Sequence, residues 1–381
     1  MICSRCVYDD KIPFIKFDNN GVCNYCHQHE NLDKEYPKDF NILLDMAIKI
    51  KKDMKNKPYD VIVGVSGGCD SSYLLHLTKL LGLRPLAVHC DNGFNTEIGN
   101  ENLATMCEQL NVKLIIQKVP KEVISDGIRA GMLASIPELD NISDIGLAAS
   151  HFMACEKYGI KYIFEGRNFR TEGIVPPGWV YMDQQYINDI QKKFGLINHK
   201  DYNLPTMYLN QQLKWMIWNR IKKIRPLYYI DYNKESIKKF LKETYGWKWY
   251  GGHHMENKTS YFANNYYLPN KLGIDIRQCE YASLIRDGQM TREQALKKLS
   301  LPSWGTSETD NNILIEILEA TELTLEQFNK IMKAPAKSYR DFKTYKKTFE
   351  RMKPFFWLMY KLNFMTKSFY LKYASKEKNI K

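Results

Sequence analysis

Six contiguous residues, Ser66-Gly67-Gly68-Cys69-Asp70-Ser71, have the makings of an anion cradle. Gly67 and Gly68 let the backbone approach a ligand closely, and Ser66 and Ser71 add hydroxyl donors. Ahead of them, Tyr59-Asp60-Val61-Ile62-Val63-Gly64-Val65 reads as a short β-branched strand, and Tyr73-Leu74-Leu75-His76-Leu77 behind them opens an amphipathic helix. The loop therefore lies at a helix N-terminus, whose unpaired N–H groups and positive dipole end suit a pyrophosphate. Walker A spacing is absent, so the lysine that reaches the β and γ phosphates in a P-loop NTPase has no counterpart, which argues against γ-phosphoryl transfer.

A second chemistry is written in the cysteines. Four of the nine fall in the first 26 residues, as Cys3/Cys6 and Cys23/Cys26. Two Cys-x-x-Cys pairs at this separation can surround one tetrahedral zinc. His27 and His29 lie near enough to replace a thiolate, but four thiolates already fill the shell, so the metal is expected to be structural. Cys69, Cys90, Cys107, Cys155 and Cys279 are scattered singly, which is not a disulfide framework.

The elements that must position these groups alternate. Leu86 to His89 reads as a buried strand ending in Cys90-Asp91-Asn92-Gly93-Phe94. Lys113 to Val119 reads as another strand, Ser143 to Tyr158 as a helix, and Lys161 to Phe164 as a strand entering Glu165-Gly166-Arg167-Asn168. Alternating strands and helices imply a parallel sheet, with a ligand crevice at the carboxyl strand ends. Arg167 and Arg170 either neutralise phosphate or an acidic substrate, or are simply solvated.

After about residue 200 the composition shifts to Lys, Tyr, Trp and Asn with helical periodicity. Thr291 and Thr324 open capping boxes, and Asn233 to Gly246 reads as a capped helix with a glycine stop. Three units are expected: a zinc-binding knuckle over 1–35, a nucleotide unit over 36–200 and a mainly helical unit over 201–381. Between the helices, Tyr250-Gly251-Gly252-His253-His254-Met255-Glu256-Asn257 gathers side chains able to move protons, or is an ordinary surface loop. From Lys343 onward the basic, aromatic tail either lies on an anionic membrane or a partner, or packs as a helix with a solvated lysine face. A net charge of +12 and a pI near 9.0 permit a polyanionic partner without requiring one. No apolar run reaches the length of a bilayer span and the start lacks a secretory stretch, so a cytoplasmic protein is expected.

Ser66 to Ser71 resembles the Ser-Gly-Gly-x-Asp-Ser signature of the PP-loop ATP pyrophosphatases, among them asparagine, GMP and NAD synthetases and tRNA-thiolating enzymes. The resemblance implies an α/β fold with a five-stranded parallel, Rossmann-like (HUP-type) sheet, and cleavage of ATP between its α and β phosphates. It implies that Ser66, Gly67, Gly68 and Ser71 hold the leaving pyrophosphate and that Asp70 helps hold Mg²⁺. Val65, His89, Asp91, Asn92, Gly93, Gly166 and Arg167 would lie along the nucleotide.

The Cys-x-x-Cys pairs, the loop, Glu165-Gly166-Arg167-Asn168 and Gly251-Gly252-His253-His254-Met255-Glu256-Asn257 are together similar to the N-acetyl sugar amidotransferases. Lys271-Leu272-Gly273-Ile274-Asp275-Ile276-Arg277, Arg286-Asp287-Gly288-Gln289 and Thr291-Arg292-Glu293 continue that likeness. Such enzymes serve bacterial surface-polysaccharide (lipopolysaccharide O-antigen) and nonulosonic acid pathways. The implied reaction turns an acetamido group of a nucleotide-linked or related sugar into an acetamidino group, with ATP and ammonia. Ser66, Asp70, His253, His254 and Glu256 would form the catalytic set, and Asn168, Arg170, Lys271, Asp275 and Arg277 the sugar site. Residue 2 is Ile and Cys3 belongs to a metal pair, so the chain offers no glutaminase nucleophile, and a separate glutaminase subunit is expected to supply ammonia. The rivals are a tRNA-thiolating PP-loop enzyme, disfavoured by single cysteines after Cys26, and a zinc-ribbon nucleic-acid-binding module, which leaves the loop without a purpose.

Overall fold

In the computed structural model, five short strands form one parallel sheet. They are β1 (Val61–Gly64), β2 (Pro85–Asp91), β3 (Leu114–Lys118), β4 (Tyr162–Phe164) and β5 (Lys222–Ile224), in the spatial order β3-β2-β1-β4-β5. The structure describes residues 1–374 apart from 253, 306, 363 and 366–369. Central β1 pairs on one side with β2, Val61 against Pro85, and on the other with β4, Ile62 against Ile163. Val61, Ile62 and Val63 are fully buried, as a parallel strand covered on both faces must be.

The helices follow from the same alternation. α1 (Asn24–Glu35) and α2 (Phe40–Asp53) precede the sheet. α3 (Cys69–Leu80), α4 (Glu97–Gln109), α5 (Lys121–Ala134), α6 (Asn141–Tyr158) and α7 (Gln184–Phe194) are threaded between or after the strands. α3 packs on β1 and β2, and α6 on β1, β2 and β4. The chain runs outward through β1, β2 and β3, then crosses back to β4. Right-handed crossovers therefore place α6 on the face opposite α3, and the reversal at β1 opens a crevice at that strand's carboxyl end.

The strand at the far edge departs from expectation. β5 lies beyond the boundary expected at residue 200 and pairs with β4 through Tyr162–Lys222 and Phe164–Ile224. Trp215, Leu227, Tyr232, Ile237, Leu241 and Trp247 also join the core of the sheet. The unit built on the sheet thus extends to about residue 247. A three-residue edge strand reading Lys-Lys-Ile has no apolar alternation from which it could be recognised.

The remaining helices are α8 (Leu209–Leu213), α9 (Lys234–Tyr245), α10 (Lys258–Phe262), α11 (Arg277–Arg286), α12 (Arg292–Leu299), α13 (Glu308–Ala320), α14 (Leu325–Lys333), α15 (Lys346–Arg351) and α16 (Lys353–Lys361). Their ends obey local chemistry. Thr291 and Thr324 both close capping boxes, Asn233 Oδ1 accepts from Ser236 N at 2.9 Å, and Gly246 stops α9 at φ +73°. Phe262, Ile313, Ile317 and Phe328 from α10, α13 and α14 share a core with Val123, Ile124 and Ile128 of α5. Among the described residues no helix is long and apolar enough to cross a membrane.

Candidate active site and zinc centre

The loop after β1 is held in shape by its own hydroxyls. Ser66 N donates to Ser71 Oγ at 3.1 Å, Gly68 N to Ser66 Oγ at 3.3 Å, and the Ser71 hydroxyl to Gly68 O at 3.2 Å. Gly67 turns the chain at φ +79°, and its carbonyl accepts from Trp247 Nε1 at 3.0 Å and from Asn102 Nδ2 at 3.3 Å. The nest therefore exists before any ligand arrives. Tyr250 and Glu256 lie over it: Cys69 N at the start of α3 donates to Tyr250 Oη at 3.4 Å, and a Cβ on Gly68 would stand 3.0 Å from Glu256 Oε1.

Around the loop the chain assembles a charge cluster from distant segments. Tyr232 donates its hydroxyl to Asp70 Oδ1, and Lys234 Nζ stands 3.6 Å from Asp70 Oδ2. Burial opposes the charge on Lys234, yet Asp70, Glu280 and Glu172 prevail and raise its pKa. Burial and the neighbouring Asp70 push Glu172 up to about 7. His254 occupies a left-handed backbone position, φ +59°, with Nδ1 3.4 Å from Glu256 Oε1. Burial would lower its pKa, but the hydrogen bond and charge of Glu256 and the charge of Glu172 raise it to about 9. The His254 side chain is 45% exposed within the cleft, so solvent weakens that pairing. Glu256 is 8% exposed, its Oε2 has no partner among the described residues, and although burial opposes it, His254 holds its carboxyl below the usual range.

These groups line one cleft of about 1870 Å³ that runs from the loop past β4 to Tyr360 and Tyr373. Gly64, Val65, Ser66, Gly68, Asp70, Ser71, Gly166, Arg167, Asn168, His254, Glu256 and Arg277 are all on its wall. At Gly166 the β4 loop passes the start of α3, and a Cβ there would make ordinary contact, 3.5 Å, with the Asp70 backbone. Asn168 turns the chain through its Oδ1, which accepts from Arg170 N at 3.1 Å. His253 lies outside the described residues.

Several expected ligand residues are committed elsewhere. His89 donates Nδ1–H to Val65 O at 2.8 Å and accepts from Asn95 Nδ2 at 2.7 Å, so it braces the loop from beneath. Asp91 and Asn92 fold their own turn, accepting from Gly93 N at 2.9 Å and Phe94 N at 3.1 Å, and with Gly93 they lie outside the cleft wall. Arg170, 1% exposed, donates to Asp33 Oδ1 at 2.8 Å, Tyr36 O at 2.8 Å and Tyr228 O at 2.5 Å; it ties α1 to the sheet and is buried in that role. Lys271 is spent on Ile331 O and Ala334 O at the end of α14. Asp275 and Arg277 form a bidentate pair at 2.7 and 3.0 Å, with Arg277 also donating to Leu301 O at 2.9 Å.

The sheet instead contributes His151, which no spacing marked. Its ring lies where a Cβ on Gly64 would sit, 2.4 Å from Cε1, so only glycine fits at the end of β1. Burial keeps His151 neutral, with its pKa lowered to about 4, and Nε2 has no partner among the described residues.

The four amino-terminal thiols form a buried cluster with Sγ–Sγ separations of 3.6, 3.8 and 3.9 Å. A tetrahedron with Zn–S of about 2.3 Å has edges of about 3.8 Å, so the donor set fits a zinc ribbon. Arg286 of α11 donates to Cys26 Sγ at 3.3 Å and Cys6 Sγ at 3.2 Å, and Arg292 Nε to Cys6 O at 3.1 Å. A tetrathiolate zinc would carry surplus negative charge, which Arg286 would partly neutralise while fastening the knuckle to α11. Hydrogen bonds to charged groups contribute about 1.5–3 kcal/mol, so Arg286→Met is expected to release zinc to a chelator at least about tenfold faster. A colorimetric zinc-release assay checks this, and an unchanged rate would show that Arg286 does not stabilise the centre. A second grouping, His29, Asp33 and Asp287, is less suited to a cation, because Arg170 and Lys38 already neutralise its carboxylates at 2.8 and 3.1 Å.

A parallel sheet reversing at β1, with Ser-Gly-Gly-x-Asp-Ser at that strand's mouth, is the arrangement of the PP-loop fold. Residues 256–354 match the family described as LPS biosynthesis protein WbpG-like, C-terminal domain. The first residue of the matched stretch, Glu256, is the one laid over the loop. A tRNA(Ile)-lysidine synthase of Actinobacillus pleuropneumoniae serotype 3 is 36% identical over 97 residues, 24% of this chain and 23% of that protein. The chain thus spans under a quarter of the length of the curated relatives it matches. Among solved structures, the NH3-dependent NAD synthetase of Campylobacter jejuni is 16% identical with a TM-score of 0.30 over 55% of this chain and 94% of that one. The NMN synthetase of Francisella tularensis is 13% identical with a TM-score of 0.31 over 77% and 97%. Scores this low carry no weight beside the sheet order and the loop.

Proposed function

We propose that the protein is an AMP-forming carbon–nitrogen ligase that converts the acetamido group of a nucleotide-linked or related sugar into an acetamidino group. The observation that carries this is the meeting of the LPS-type domain and the ATP loop in one cleft of about 1870 Å³. Single-ligand pockets are typically about 300–1,000 Å³, so a cleft this size has room for ATP beside a sugar. An amide is a poor electrophile. Attack of its oxygen on the α phosphate expels pyrophosphate into the Ser66–Ser71 nest, ammonia then adds to the activated carbon, and AMP leaves with that oxygen.

Catalysis on this reading is positioning and charge neutralisation. His254, raised to about 9, is a cation at neutral pH and suits a developing negative oxygen, while ionised Glu256 is the group able to take a proton from the adding ammonia. A carboxylate this close to a phosphate nest needs a cation between them. Mg²⁺ would supply that charge, held by Asp70 together with phosphate oxygens and water, as small hard cations are usually bound. Ammonia would come from a partner glutaminase.

The test is pyrophosphate and AMP release from the purified chain with ATP, Mg²⁺ and ammonium, in the presence of acetamido sugars or of tRNA. Stimulation by an acetamido sugar, with amidine found by mass spectrometry, is the expected result. Stimulation by tRNA alone would transfer the proposal to the second reading, a tRNA-modifying enzyme, which the 36% identical stretch favours. No AMP under any condition would overturn both.

A further inference from the structure

Between residues 343 and 381, eleven lysines and arginines face only Glu350 and Glu377, a surplus of nine within a net charge of +12 for the whole chain. The helices in this stretch bury one face completely: Phe349, Phe356 and Met359 are 1%, 0% and 8% exposed and share a core with Met216. The other face of α16 repeats Pro354, Trp357, Leu358, Lys361 and Leu362 at i, i+3, i+4, i+7 and i+8, one stripe of a helix. Trp357, Leu358 and Leu362 remain 48%, 46% and 54% exposed, with Lys361 Nζ 5.8 Å above the Trp357 ring. Lys347 and Arg351 on the preceding helix, α15, are exposed. A helix that has already supplied a full core face and still presents tryptophan and leucines has a second apolar surface to cover.

We propose that this outer face docks on an anionic lipid bilayer, with α16 lying in the plane of the interface. Trp357, Leu358 and Leu362 enter the headgroup region while Lys347, Arg351 and Lys361 meet the phosphates, the arrangement by which basic amphipathic helices hold to membranes. Lysine inside the apolar stripe itself argues against a protein partner, since the cores of protein interfaces are depleted in charge. Branched leucines beside a single exposed tryptophan make a poor stacking platform for nucleic acid. Tyr360, on the same helix, lines the cleft, so docking brings the far end of the cleft up to the bilayer. This inference does not depend on the chemistry proposed above.

The experiment is sedimentation of the full chain with phosphatidylcholine vesicles, with and without phosphatidylglycerol, at low and high salt. Binding to the anionic vesicles only, weakened by salt, is expected. Trp357→Ser, Leu358→Ser and Leu362→Ser combined should lower partitioning about tenfold with no change in melting temperature, because these side chains are solvent-facing. Lys347→Glu, Arg351→Glu and Lys361→Glu combined should do the same by reversing the charge, and serve if the first variant misfolds. Equal binding to neutral and anionic vesicles, no binding to either, undiminished binding by both variants, or binding of RNA without vesicles would each overturn the proposal.

Discussion

Gly67→Ala is expected to abolish pyrophosphate release and to lower the free energy of unfolding by about 2–4 kcal/mol. Gly67 sits at φ +79°, where an L-residue costs about 1–2 kcal/mol, and a Cβ built there falls 2.0 Å from Gly99 O. That obstacle is backbone, and it cannot retreat cheaply. Gly99 lies in the first turn of α4, where its N–H is capped by Thr96 Oγ at 3.2 Å, and Thr96 N in turn donates to Glu256 O at 3.0 Å. Relief must therefore come from the loop, which would swing its own N–H groups out of the nest. Gly273→Ala is the control: φ is +66° there too, but nothing lies within 4 Å of the new Cβ, so only the conformational cost applies and turnover should survive. Urea unfolding and a coupled pyrophosphate assay on both variants decide the matter. A Gly67→Ala protein with normal turnover would mean that the nest is not the phosphate site.

What could be recognised from the sequence was whatever is local. The strand expected over Lys113 to Val119 is β3 from Leu114 to Lys118, and the helix expected from Ser143 is α6, beginning two residues earlier. The capping boxes and the nest were equally plain, because each is complete within six residues. β5 was invisible because a short edge strand needs only backbone partners and imposes no pattern on its side chains. The missed site residues fail for another reason. Tyr232, Lys234 and Tyr250 reach the loop from more than 160 positions away, and a lone lysine or tyrosine carries no spacing that announces it. Glu172 is one carboxylate in a glycine- and proline-rich loop, and only the fold places it beside Asp70. Arg170 shows the converse error. An arginine in a loop after a strand looks available, and the burial that turns it into a brace between α1 and the sheet depends on Asp33, Tyr36 and Tyr228, none of them its neighbour in the chain.

Asp70→Asn is expected to slow ATP-dependent pyrophosphate release by about 10²–10³-fold while the protein stays folded. The substitution keeps the shape of the side chain, and its Oδ1 can still accept from Tyr232. Asp70 belongs to the first turn of α3, where a negative charge favours the helix by about 0.3–1 kcal/mol, so the loss of stability should not exceed that by much. Lys234 loses one anionic neighbour but keeps Glu280 and Glu172. What the variant cannot do is supply charge to a cation between the loop and the phosphates, so the residual rate should also need more Mg²⁺ to saturate. A further consequence separates this role from a structural one. Glu172 is pushed up to about 7 first by burial and then by Asp70, so removing that like charge lets its pKa fall. Glu172 then stays ionised to lower pH, and any acid limb it imposes on the rate moves downward in the variant. A magnesium titration and a pH–rate profile on both proteins read the two effects independently. Full turnover in Asp70→Asn, with an unmoved acid limb, would leave Asp70 as no more than the partner of Lys234 and Tyr232.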